Sequence, residues 1–93
     1  MLYSIQRLRG ARIAVVLVER RQLVREHSDR LIAELQLQFQ FPVMLVAADH
    51  GEWVNAKAVA QFDATHHLYD LLAVCDEIEW FEVPALIEPE IPF

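Results

Sequence analysis

The stretch Ala11-Arg12-Ile13-Ala14-Val15-Val16-Leu17-Val18-Glu19 constrains the fold more than any other. It is a continuous, largely β-branched apolar run with charges near its ends. A strand this apolar has no polar face to give to water, so both of its faces must be covered. That predicts a central strand, with the rest of the chain supplying the cover.

The sequence after Glu19 changes period. From Arg20 to Gln38 there is no Gly or Pro, and Val24, Ser28, Leu31, Leu35 and Phe39 recur at helical spacing, widened by Ile32. This predicts an amphipathic helix, with Arg25–Asp29 and Glu26–Arg30 as i,i+4 pairs on its exposed side. Leu35 to Leu37 continue the stripe, and Phe39-Gln40-Phe41 read as an extended exit, because residues before a proline avoid the α region. Pro42 to Asp49 form a second buried strand. Strand, helix and strand make a βαβ unit with parallel strands.

Before this unit, Leu2 to Leu8 alternate as a short strand or extended lead-in, and Arg9-Gly10 bends the chain into the central strand. After it, Asp49-His50-Gly51-Glu52 is a turn. Residues 53–62 alternate with one wholly apolar set, which predicts an antiparallel strand, although the alanines would also suit a helix. Asp63 or Thr65 caps a second helix whose buried side is Ala64, Leu68, Leu71, Leu72 and Cys75. The acids Asp76, Glu77 and Glu79 oppose a helix C-terminal dipole, so the helix ends near Cys75. Ile78 to Val83 are extended. The expectation is therefore an α/β fold: a two-layer mixed sheet of three to five strands with two helices, built on an N-terminal βαβ unit and followed by an antiparallel hairpin strand. Residues 1–83 form one domain, and Pro84, Pro89 and Pro92 make residues 84–93 an extended tail.

Composition bears on partners. The chain has 93 residues, of which 55% are hydrophobic. A domain of this size buries roughly two-thirds of its unfolded surface, so the apolar excess favours a homo-oligomer or a bound protein. The net charge is −6, and it is unevenly placed: after Arg30 the only basic residue is Lys57. Overall acidity argues against direct, non-specific nucleic-acid binding. No run approaches the roughly 18 apolar residues of a membrane span, the start does not resemble a signal peptide, and Cys75 is the only cysteine. Together these give the expectation of a cytoplasmic protein that does not engage membranes.

Chemistry could arise at the carboxyl ends of the parallel strands, where open α/β sheets place ligands. Glu19, Arg20 and Arg21 would meet Asp49 and His50 there, for acid–base work or a divalent ion. Polar residues at strand ends equally serve only to meet water. No Gly-rich loop follows the first strand, which argues against dinucleotide and phosphate-loop sites. His66 and His67 are adjacent and point apart on a helix, and no His-x-x-x-His spacing exists, so neither a metal nor another cofactor is expected. His66 could meet Asp70. Cys75 lies on an apolar stripe before two acids, which suits a packed thiol rather than a nucleophile.

Recognition has better candidates. Glu77-Ile78-Glu79-Trp80-Phe81-Glu82-Val83 interleaves acids with aromatics, as an edge strand or an interface strand does; Glu79, Trp80, Phe81 and Glu82 are its candidate interaction residues. The end of the chain, Ile87-Glu88-Pro89-Glu90-Ile91-Pro92-Phe93, sets acids before Ile-Pro-Phe and a carboxylate. This resembles the C-terminal tip of bacterial single-stranded DNA-binding proteins. The resemblance implies that Phe93 fills an apolar pocket on a repair or replication enzyme, with Ile91 and Pro92 beside it and Glu88 and Glu90 on a basic rim. Pro89 interrupts the acidic run, Glu stands where that family has Asp, and no oligonucleotide-binding barrel precedes the tail. On its residues alone, the tail reads as a proline-stiffened arm lying across its own domain or that of a dimer mate. The expected function is thus a non-catalytic interaction or assembly module. A small enzyme or metal-binding domain at Glu19, Asp49 and His50, and a nucleic-acid-associated protein acting through the arginines or the tail, are the other two readings.

Overall fold

The computed structural model describes residues 1–48, 53 and 55–83. Five strands form one mixed sheet: β1 (Leu2–Leu8), β2 (Ala11–Leu17), β3 (Val43–Ala47), β4 (Lys57–Ala60) and β5 (Phe81–Glu82). Their order is β4-β3-β2-β1-β5, so β2, built from the apolar run, stands at the centre. The two helices are α1 (Arg25–Phe39) and α2 (Ala64–Leu72). The expected α/β class, with its βαβ unit, is present: β2 and β3 are parallel with Ala14 opposite Val43, and β4 returns antiparallel to β3.

Both faces of β2 are covered, as its composition demands. Ile13, Val15, Met44 and Val46 share one apolar cluster with Leu71 of α2. Ala14, Val16, Val43 and Leu45 share the other with Ile32 and Leu35 of α1. Period-two alternation along β2 and β3 feeds the two clusters in turn. The helices therefore take opposite faces, and the sheet is the middle of three layers rather than one side of two. A one-sided arrangement would have left half of Ile13–Val16 in water.

Residues Leu2–Leu8 are a full strand, in antiparallel register with β2 from Leu2↔Leu17 to Leu8↔Ala11. Two residues join them, and both have positive φ, Arg9 at 51° and Gly10 at 82°. Two successive left-handed residues match the right-handed twist of the flanking strands. Glycine adopts this region freely, whereas arginine does so at a cost.

The first helix is not continuous from Arg20. Arg20–Leu23 form a 3₁₀ turn, and Val24 is extended (φ −64°, ψ 132°) before α1 begins. Val24 consequently leaves the apolar stripe and is 57% exposed. Ser28, Ile32 and Leu35 are the buried stripe of α1; the Ser28 hydroxyl donates to the Arg25 carbonyl at 3.1 Å. Helix α1 runs to Phe39, and Gln40 ends it in the left-handed region, its N–H on the Gln36 carbonyl at 2.8 Å. Of the expected exit Phe39-Gln40-Phe41, Phe39 is helical, while Gln40 and Phe41, ahead of Pro42, fall outside the helix. Neither Arg25–Asp29 nor Glu26–Arg30 closes as an ion pair.

Helix α2 stops at Leu72, before Cys75, and a 3₁₀ turn follows at Cys75–Glu77. The chain then becomes extended, and β5 pairs with β1 through Leu2↔Glu82 and Tyr3↔Phe81. Among the described residues no helix is long and apolar enough to cross a membrane. The expected turn at residues 49–52 and the tail at 84–93 lie outside the described residues.

Candidate functional site

The carboxyl end of β2 does bring Glu19, Arg20 and Arg21 together, but into a structural turn. The Gln22 N–H donates to the Glu19 carbonyl, and the Glu19 N–H donates to Gln22 Oε1, both at 2.9 Å. Arg21 Nε lies 2.6 Å from Glu19 Oε2. Arg20 donates to the Asn55 carbonyl at 2.6 Å, tying the turn to the segment before β4. Asp49 and His50, the other half of the expected site, lie outside the described residues. Among those described, no three His, Cys, Asp or Glu side chains gather in a way that could hold a metal ion.

The histidines of α2 serve its N-terminus. Asp63 is the N-cap, accepting the His66 N–H at 3.2 Å. Its carboxylate also meets His66 Nδ1, and His67 Nδ1 donates to the Asp63 carbonyl at 2.6 Å. His66 thus pairs with Asp63 and not with Asp70, which sits 3.9 Å from Arg9. The Asp63 carboxyl is held below its ordinary pKa of 3.8, first by the His66 side-chain hydrogen bond, then by the His66 backbone N–H. A lowered carboxylate pKa stabilises the fold above the unfolded-state pKa, and the effect is lost as pH falls through the folded-state value. Acidification below the usual carboxylate range should therefore fray the first turn of α2. Asp63→Ala should cause the same fraying at neutral pH, read as faster amide exchange at His66 and His67 with β2 and β3 unchanged.

Cys75 is half-buried, and its Sγ lies 4.0 Å from Asp76 Oδ1.

The aromatic stretch divides across the sheet. Trp80 stacks on Trp53 with ring centroids 5.9 Å apart and packs against the α2-side cluster. Phe81 points to the other face, its ring 5.9 Å from Tyr3, and is 48% exposed. Strand alternation dictates this split, so Trp80 is a packing residue and only Phe81 is presented outward. Glu79 and Glu82 are exposed, and the N-terminal amine lies 3.7 Å from Glu82.

Beside Phe81, no further strand covers the sheet edge among the described residues. Strand β5 covers only Leu2 and Tyr3 of the seven-residue β1. The Val83 N–H donates to the Met1 carbonyl at 2.8 Å. In an antiparallel strand, main-chain groups alternate between neighbours, so odd-numbered residues of β1 address the β5 side and even-numbered ones address β2. Ile5 and Arg7 therefore aim their N–H and C=O groups at the edge beyond β5. A groove of about 410 Å³ lies there, lined by Ser4, Ile5 and Gln6 with Glu77, Glu79 and Phe81. Comparison with known proteins adds nothing to this geometry. No family model matches the chain, and no curated protein or solved structure is significantly similar to it.

The open edge was not visible in the sequence. The alternation of Leu2–Leu8 is legible there, but which side of that strand lacks a neighbour depends on strand order. Ile91, Pro92 and Phe93, the remaining expected interaction residues, lie outside the described residues.

Proposed function

We propose that this chain is a non-catalytic interaction module that self-associates through the open edge of β1. One observation carries the reading: β5 stops after two residues and leaves the outward main-chain groups of Ile5 and Arg7 without a strand partner among the described residues. Unpaired edges of this kind are templates for strand addition. A second copy fits the charges. Antiparallel pairing centred on Gln6 would set Ile5 opposite the second copy's Arg7, and would bring that arginine toward Glu77 and Glu79 on the groove. Phe81 would lose its exposed half at the same contact, and aromatic side chains are a frequent source of interface energy. The apolar excess of the composition supports the same reading.

Arg7→Pro tests it. The Arg7 N–H is directed away from β2, so proline removes no bond from the β1–β2 ladder, and proline is tolerated at strand edges. Arg7 also faces Arg12 directly, a like-charge pair whose removal offsets part of the backbone cost. The wild-type chain is expected to sediment as a dimer at micromolar concentration. Arg7→Pro, and separately Glu77→Lys with Glu79→Lys, are expected to sediment as monomers with an unchanged circular dichroism spectrum. A wild-type monomer throughout that range, or folded variants that still dimerise, would sink the proposal.

A further inference from the structure

A second surface is independent of that edge. A cleft of about 500 Å³ runs along the first half of α1. It is lined by the apolar Val24 and Leu31, by Arg21, Gln22, His27 and Arg30, and by one acid, Glu34. Val24 is exposed because the break between the 3₁₀ turn and α1 takes it off the buried stripe. The result is a cleft with two apolar side chains beside Arg30 and the Glu19-paired Arg21, in a chain that is acidic overall.

The chain itself contains the complementary segment. Residues 84–93 hold Glu88 and Glu90 among Leu86, Ile87, Ile91 and Phe93, and no basic residue. The segment departs from Val83, which packs against the same apolar cluster as α1 and so lies on the α1 side of the sheet. Ten residues in a proline-favoured extended form reach about 30 Å. Helix α1 is about 22 Å long at 1.5 Å per residue, and three strand spacings amount to about 15 Å, so the cleft lies within reach. A tether this short gives an effective concentration of order millimolar, well above micromolar concentrations of a second copy.

We propose that the α1 cleft is the docking site of the chain's own acidic C-terminal segment. Glu88 and Glu90 meet Arg30 and His27, together with Arg21, whose Nε is already on Glu19. The large apolar side chains lie over Val24 and Leu31.

The test uses the full chain with a nitroxide at Pro89→Cys in a Cys75→Ser background. Docking predicts a several-fold loss of amide signal at Val24, His27, Arg30 and Leu31 relative to the reduced label. His27→Glu with Arg30→Glu, both exposed positions, restores those signals while the rest of the spectrum stays in place. Adding Glu88→Lys and Glu90→Lys to that variant brings the broadening back. A mixture of isotope-labelled chain without nitroxide and nitroxide-bearing chain without isotope separates the two sources of a tail. Broadening in the mixture would assign the cleft to the segment of a second copy and overturn the intramolecular site. So would unbroadened signals at the four residues in the singly labelled chain, or charge reversal that leaves the broadening intact. Repeating the measurement on Arg7→Pro shows docking unaffected by loss of the β1-edge dimer, which keeps the two proposals separable.

Discussion

Leu71→Ala is expected to lower the free energy of unfolding by about 3 kcal/mol, within the range for removing a buried leucine side chain and leaving a partly relaxed cavity. Leu71 is the only fully buried residue of α2. It is the fully buried residue by which that helix joins Ile13, Val15, Met44 and Val46 in the cluster on its side of the sheet, with the partly buried Leu68 packed beside it. Helix α1 is held by Ser28, Ile32 and Leu35 together, so α2 has the less redundant attachment. For a small domain with total stability of order 5–15 kcal/mol, the loss is a large fraction of the whole. Urea unfolding should show a lower midpoint with little change in slope. Tyr69, two residues away and 74% exposed, is the control: Tyr69→Ala should leave the midpoint within about 0.5 kcal/mol of wild type. A Leu71→Ala protein as stable as the control would mean that α2 does not depend on this contact.

The second large effect separates adjacent aromatics. Trp80→Ala is expected to cost about 2 kcal/mol, less than a fully buried tryptophan because the ring is only partly covered. The ring stacks on Trp53 and closes the rim of the α2-side cluster. Phe81→Ala removes a half-exposed ring whose aromatic neighbour among the described residues is Tyr3, and should cost under about 1 kcal/mol. Its larger effect should appear in the dimer constant, if the open edge is where copies meet. Equal losses of monomer stability for the two variants would contradict the assignment of Trp80 to packing and Phe81 to presentation.

The parts of the fold that can be read from residues are those governed by local periodicity. The run Ile13–Val18 dictated a central strand covered on both sides, and β2 is that strand. The same run argued for three layers, since a strand apolar on both faces needs two covers. The break at Val24 was hidden because Val24, Ser28 and Leu31 satisfy helical spacing whether or not the helix starts at Arg20. The extension of α1 to Phe39 was obscured by the alternation of Leu35 to Phe41, in which two periods compete over the same residues. The candidate site was less legible. Charge type suggested chemistry at Glu19, Arg20 and Arg21, but residue identity does not say whether an arginine faces a ligand or the carboxylate two positions away. The same limit applies to Trp80 and Phe81: the strand dictates that they part, and only the packed sheet says which one faces inward.

The two pairings of β2 differ in the chain they must bring together. Its antiparallel partner is two residues away across Arg9-Gly10, while its parallel partner places Ala14 against Val43. Closing the longer loop costs about 2 kcal/mol more in chain entropy, and isolated hairpins form in about 1–10 μs. The β1–β2 hairpin is thus positioned to assemble first and to offer one strand edge on which α1 and β3 later settle. A substitution that rigidifies the two-residue turn should then speed folding, whereas one in β3 should act mainly on unfolding. Stopped-flow rates for Arg9→Asn and Val46→Ala would distinguish this order from one in which the crossover leads.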